Sequence, residues 1–354
     1  MGISRFLRAA LCAAAMMSAI EAAPAQQAFS FALIGDMPYT NVQEREFANV
    51  LNELNKADLG FVVHIGDFQF DARPYNQNPA VSAMPCVEDN YKAILAKFQT
   101  IRHPFVLTLG DNDWTDCWPL QAQKIDPLEA LTRVRGMFYP EGKSLGQRTI
   151  DLENQSKDPR FAKFRENVRF SMGGIAFVTL HIVGSNDNFG RSPEMNAEHL
   201  ERKAANIAWM KDAFARAKAD GSRGIVIMTQ ANPGFENYWP AGPKGRYFGP
   251  FVGRSQPPAK PENAFDDYIS ALADELEGYD RPVAYLHGDT HLFRIDKPLY
   301  SKKTNRLFEN FTRVETFGWP DTHWVLVTVD PPNPQLFRFD AKIVPENAVS
   351  RKAP

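Results

Sequence analysis

The sequence predicts an α/β fold on two β-sheets, and three observations carry the prediction. In the first third of the mature chain, apolar runs of strand length alternate with segments of helical periodicity. A second group of strands, including a hairpin, follows in the rest of the chain. No internal repeat, low-complexity tract or linker divides the sequence, so one compact domain with two sheets is the simplest account.

The elements are expected in this order. Residues 29–34 form a strand. Residues 42–55 form a helix, with Phe47, Val50, Leu51 and Leu54 as its apolar stripe. Residues 59–65 form a second strand, 87–99 a helix and 104–109 a third strand. This β-α-β-α-β order argues largely parallel pairing at first. Residues 71–85 are Pro-rich and read as a surface loop. A helix is expected over 127–138. Residues 168–172 and 175–183 read as a hairpin around Gly173-Gly174. A long helix over 197–218, a strand over 224–229, a helix over 263–276 and a strand over 283–287 follow. Between them, residues 235–260 are rich in Gly, Pro and aromatics and read as a long loop. Three strands close the chain, at 308–316, 324–329 and 336–339.

The N-terminus reads as a targeting segment. Arg5 and Arg8 precede a short apolar run, and Ala23-Pro24-Ala25 supplies a small-x-small cleavage pattern. Residues 1–25 are therefore expected to be a signal peptide, and 26–354 a single domain. The apolar run is about 12 residues, short of the roughly 20 that a spanning helix needs. The expectation is a periplasmic or secreted protein with no membrane span. Cys12 lies in the signal, leaving Cys86 and Cys117, for which an oxidising compartment favours one disulfide. With 44% hydrophobic residues the chain can bury a sizeable core, and its net charge of −2 gives no general attraction to nucleic acid.

The chemistry is carried by four Gly-Asp pairs: Gly35-Asp36, Gly66-Asp67, Gly110-Asp111 and Gly288-Asp289. Each follows an expected strand, and ligand sites of α/β sheets gather outside the carboxyl ends of strands. Glycine allows a sharp turn and close approach of a ligand. Aspartate offers hard oxygen ligands on a short side chain. Several carboxylates converging without a cation repel one another and raise their pKa values, a cost that a divalent metal removes.

These motifs, from about residue 29 to 329, resemble those of the calcineurin-like metallophosphoesterases, which include the purple acid phosphatases. Asp36-Met37-Pro38 corresponds to the first motif, Asp-x-His. Gly66-Asp67 is the second. Gly110-Asp111-Asn112-Asp113 corresponds to Gly-Asn-His-Asp/Glu. The strand ending at Gln230 corresponds to the fourth motif, and Gly288-Asp289-Thr290-His291 to Gly-His-x-His. The resemblance implies two β-sheets packed as a sandwich and flanked by helices. It implies Asp36, Asp67 and His291 around one metal, and Asp67, Asp111 or Asn112, Gln230 and Asp289 around a second. It implies hydrolysis of a small phosphate ester by metal-activated water, with Asn112 and His291 at the catalytic positions.

The departures share a direction. Pro38, Asn112, Gln230 and Asp289 stand where the family has histidines, and Asp111 stands where it has asparagine. Carboxylate and amide replace imidazole, which favours Mg²⁺, Mn²⁺ or Ca²⁺ over Zn²⁺ or Fe. Phe70 replaces the iron-binding tyrosine of purple acid phosphatases. One or two ions are compatible with the pattern. The alternative is a protein of the same fold that binds metal or ligand without catalysis. His64, His181 and His287 read as core histidines, and Asp113 as a loop anchor. Asn232 and His323 are minor pocket candidates. Trp114, Trp118, Phe235, Tyr238, Trp239, Tyr247 and Phe248 read either as packing over the core or as a substrate wall.

Overall fold

The structure is a computed structural model that describes residues 27–70, 84–235 and 263–348. The expectations for the signal segment, for most of the two long loops, and for Tyr238, Trp239, Tyr247 and Phe248 lie outside these residues.

The first sheet grows from the predicted alternation. Strands β1 (Phe29–Ile34), β2 (Val62–His64) and β3 (Phe105–Leu107) pair in parallel, with Ala32 opposite Val62 and Val62 opposite Phe105. Helix α1 (Asn41–Lys56) connects β1 to β2, and α2 (Glu88–Phe98) lies between β2 and β3. Thr40 starts α1 by accepting a hydrogen bond from the Gln43 backbone N–H, a standard N-cap. Two late strands complete the sheet: β11 (Trp324–Val329) runs antiparallel against β1, and β12 (Phe337–Lys342) against β11.

The second sheet has the order β4-β5-β6-β7-β8-β10-β9. Its centre is parallel: β6 (Ile175–Thr179), β7 (Gly224–Met228), β8 (Val283–His287) and β10 (Phe311–Glu315). The hairpin is present, with β5 (Val168–Met172) antiparallel to β6. The edge strands β4 (Glu153–Asn154) and β9 (Arg294–Asp296) are too short to carry a periodic pattern, so the sequence gives no sign of them.

Three cores show the layering. Phe31, Leu33, Val63 and Val106 of the first sheet meet Phe177, Val226, Met228 and Leu286 of the second. Phe47, Val50, Leu54, Ile94 and Phe98 of α1 and α2 cover the first sheet, joined by Leu131, Val134 and Phe138 of α3 (Pro127–Phe138). Trp209 and Phe214 of α4 (Pro193–Ala219) and Tyr268 and Leu272 of α5 (Asp266–Leu276) cover the second. The result is the expected sandwich of two β-sheets flanked by helices.

Boundaries move where side chains cap the chain. α4 starts four residues early, because Ser192 accepts from the Met195 N–H and Pro193 supplies a ready first turn. α5 starts late, because the Asn263 side chain accepts the Phe265 N–H and holds a turn there. Among the described residues, no helix is long and apolar enough to cross a membrane. Cys86 and Cys117 form the expected disulfide, with Cα atoms 6.0 Å apart.

Candidate metal centre

The carboxyl ends of β1, β2, β3, β7 and β8 bring Asp36, Asp67, Asp111, Gln230 and Asp289 together across the two sheets. The glycine of a pair makes room for the aspartate of another loop. A Cβ on Gly110 would collide with Asp67 Oδ1, and one on Gly288 with Asp36 Oδ2. The third and fifth motif loops are thus cut back to receive the carboxylates of the second and first.

The contacts are specific. Asp36 Oδ1 accepts the Asp289 N–H at 3.0 Å and lies 3.6 Å from His291 Nε2. Asp67 Oδ1 accepts the Asn112 N–H at 3.0 Å. Asp67 Oδ2 accepts from the Tyr39 hydroxyl and from Gln230 Nε2, both at 3.1 Å. Gln230 Nε2 also donates to Asp111 Oδ1 at 3.0 Å, and Asp289 Oδ2 accepts the Asn232 N–H at 3.0 Å. A Cβ on Gly184 would lie 2.8 Å from Asp111 Oδ2 and 2.5 Å from Asp289 Oδ1, so those oxygens share one small space. Asp36 Oδ2 is buried with no hydrogen-bond partner among the described residues.

Burial pushes Asp36, Asp67 and Asp289 well above the usual carboxylate range, and mutual repulsion adds to each: Asp289 acts on Asp36, and Asp111 on Asp67 and Asp289. Asp111 is pushed up to about 6, by burial first and then by Asp116. Burial lowers His291, which keeps its ring neutral and fit to offer a lone pair. Among the described residues, no lysine or arginine is in the contacts of these carboxylates given above.

Backbone strain gathers at the same place. Of twelve non-glycine residues with positive φ among the described residues, four are Asp36, Asp67, Asp289 and His291. Four more form one left-handed turn, Ser185, Asn186, Asp187 and Asn188, directly after Gly184. Such conformations persist only where surroundings over-determine them, and they mark functional sites. Here the surroundings are visible. Asp113 accepts the N–H groups of Gly110, Asp67 and Phe68 and so binds the second and third loops together. His64 pairs its Nε2 with the Met37 carbonyl and accepts the Gly66 N–H at Nδ1, and burial lowers its pKa to about 4. It is a core histidine, as expected, but one that braces the Asp36 and Asp67 loops at once. Asp187 holds the left-handed turn through Arg202, His199, Tyr268 and the Val183 N–H.

No family model and no curated protein matches this chain. Among solved structures it is similar to one titled "Structure of PhoD", at 14% identity and a TM-score of 0.49, covering 86% of this chain and 64% of that one. It is also similar to a 5'-nucleotidase from Candida albicans SC5314, at 11% identity and a TM-score of 0.40, covering 88% of this chain and 50% of that one. The chain thus spans less than two thirds of either neighbour. The fold itself is the two-sheet sandwich described above, and the chemistry has to come from the side chains.

The structure brings Asp36, Asp67, Asp111, Gln230, Asp289 and His291 together at one place. One detail differs from the sequence reading, that of Gln230, and the structure gives a geometry to two points left open. In the third motif the Asp111 side chain meets Gln230, while Asn112 contributes its backbone N–H to Asp67 and its carbonyl to Gln69. Gln230, expected to offer oxygen to a cation, turns its nitrogen to Asp67 and Asp111 instead, because its oxygen accepts the Gly184 N–H at 2.6 Å. Trp114 and Phe235 are fully buried in the two outer cores and line no substrate wall, whereas Trp118 is exposed. Tyr39 was missed. Its position one residue beyond Pro38 held the only available signal. Trp319, whose N–H donates to the Asp36 carbonyl and whose exposed ring lies 6.5 Å from that of His291, was missed as well.

Among the described residues, no three His, Cys, Asp or Glu side chains are placed closely enough to hold an ion as they stand. The reason is local. The Tyr39 hydroxyl lies between Asp67 Oδ2 and His291 Nε2, at 3.1 and 3.4 Å, and the Gln230 amide lies between Asp67 and Asp111. On the Asp36 side two carboxylates and a neutral imidazole supply donors that suit a divalent cation once the Tyr39 hydroxyl moves from between Asp67 and His291. On the Gln230 side an N–H donor faces the carboxylates, and the fit fails.

Proposed function

We propose that the chain is an exported, metal-dependent phosphoric ester hydrolase. The observation that carries this reading is the buried cluster of carboxylates at strand ends, in which Asp36 Oδ2 has no hydrogen-bond partner among the described residues. A buried acceptor left unsatisfied costs about 1–3 kcal/mol, more when charged, and a divalent cation removes that cost. Asp36, Asp67 and His291 would hold the ion. When bound, it would supply Lewis acidity toward a phosphoryl oxygen and lower the pKa of water. Mg²⁺, Mn²⁺ or Ca²⁺ suits the oxygen-rich set.

The chain's own groups support the same reaction. Asp36 Oδ1 lies 3.6 Å from His291 Nε2, so the two can share one ion. The Tyr39 hydroxyl donates to Asp67 and stands beside His291, where it can hydrogen-bond a bound phosphate or water. The disulfide between Cys86 and Cys117 accords with an oxidising compartment outside the cytoplasm. A second reading, metal or ligand binding without catalysis, is favoured by Asn112, an amide that cannot give a proton to a leaving group.

The test is hydrolysis of a generic phosphate monoester and diester by metal-stripped mature protein, resupplied in turn with Mg²⁺, Mn²⁺, Ca²⁺ and Zn²⁺. Metal-restored turnover that vanishes in Asp67→Asn is the expected result. Metal binding with no turnover on either ester would replace it with the non-catalytic reading.

A further inference from the structure

We infer that the Gln230 amide occupies the place of a second cation, so that the centre takes one divalent ion per chain, on the Asp36–His291 side. This inference rests on the metal-dependent reading above and concerns how many ions the site accepts.

The argument starts from the orientation of one side chain. Gln230 is fully buried at the end of β7. Its oxygen accepts the Gly184 N–H at 2.6 Å. That bond decides which end of the amide faces the site, because the reversed amide would set an NH₂ group against a backbone N–H. The nitrogen therefore points at Asp67 Oδ2 and Asp111 Oδ1, 3.1 and 3.0 Å away. Both its protons are used there, and the amide nitrogen has no free lone pair for a metal.

Two small hard ions clamped side by side would need a shared ligand, and Asp67 is the carboxylate placed for it. Yet Asp67 Oδ2 already accepts from Gln230 on one side and from Tyr39 on the other. A cation between Asp67 and Asp111 would have to lie about 2.0–2.6 Å from each oxygen. The Gln230 NH₂ group stands between those oxygens and would have to leave. Its exit is opposed by the Gly184 bond, and Gly184 is itself held by the left-handed turn that Asp187 and Arg202 pin. The amide dipole thus supplies the partial positive charge that keeps two buried carboxylates together. On the other side the Tyr39 hydroxyl donates to Asp67 Oδ2, and Asp36 Oδ2 has no hydrogen-bond partner among the described residues.

The experiment is equilibrium dialysis of metal-stripped mature protein against Mn²⁺, with bound metal counted per chain and the bound ion read by electron paramagnetic resonance. Wild type should bind one Mn²⁺ with the signal of an isolated ion. Gln230→Glu keeps the shape and an acceptor for the Gly184 N–H, but turns a carboxylate oxygen toward Asp67 and Asp111. It should bind two, with a spin-coupled signal. Two ions in wild type would overturn the inference and leave the metal-dependent reading standing. One ion in both proteins would show that Gln230 is not what closes the second place. No ion in wild type would remove the metal-dependent reading and this inference with it. The wild-type count needs no variant, so the inference stays testable even if Gln230→Glu folds poorly.

Discussion

Asp36→Asn will unfold at a higher temperature than wild type when both are free of metal, and will lose the stabilisation that metal gives wild type. Asp36 carries one used oxygen and one buried, unpartnered oxygen. Asparagine keeps an oxygen for the Asp289 N–H and removes the charge. Burial and the neighbouring Asp289 hold the Asp36 pKa well above its ordinary value of 3.8. Above the unfolded pKa, the folded metal-free protein therefore retains a proton that the unfolded chain releases. Its stability falls as pH rises toward the folded pKa. The gap between variant and wild type should widen from pH 5 to pH 8. Added metal reverses the order: at a hundredfold excess over Kd it stabilises wild type by about 2.7 kcal/mol and the variant far less. Turnover of the variant should fall by more than about a hundredfold. Thermal unfolding across that pH range, with and without metal, reads all of this. A variant that is less stable than wild type without metal, or equally stabilised by it, would contradict the account.

Arg202→Met should cost about 3–5 kcal/mol, the range for breaking a buried ion pair from one side. Arg202 is fully buried on α4, and its guanidinium donates to Asp187 Oδ1 at 2.5 Å, to the His181 carbonyl at 2.8 Å and to Glu198. It also lies over the Trp114 ring at 5.4 Å. Methionine fills much of the volume but leaves Asp187 buried and short of positive charge, and Asp187 is what holds the left-handed turn. Gly184 then loses its fixed N–H, so metal affinity should fall along with stability. Arg202→Lys keeps the charge without the planar fork and should recover only part of both. Urea midpoints measure the first effect. A loss under about 1 kcal/mol for Arg202→Met would mean that the turn stands without this pair.

Most of the sheet framework was legible, because buried parallel strands bounded by Gly-Asp turns leave a strong pattern. β1, β8 and β11 fall at the positions the sequence predicts. What was illegible shares one cause: it depends on partners far away in sequence. β4 and β9 exist only because β5 and β10 offer them an edge. The direction of the Gln230 amide is set by Gly184, 46 residues away, and no local pattern announces it. The left-handed turn at 185–188 has no local signature, since its shape depends on Asp187 meeting Arg202 and Tyr268. Tyr39 reaches Asp67 across 28 residues. The carboxylates were legible because each strand-end glycine marks one of them.

The most direct test of the central claim is anomalous diffraction at the manganese edge from crystals of the mature protein soaked in Mn²⁺. The account predicts one peak, bounded by Asp36, Asp67 and His291, with the Gln230 nitrogen still against Asp67 and Asp111. A peak elsewhere, or none at those three side chains with Mn²⁺ at saturating concentration, would contradict it.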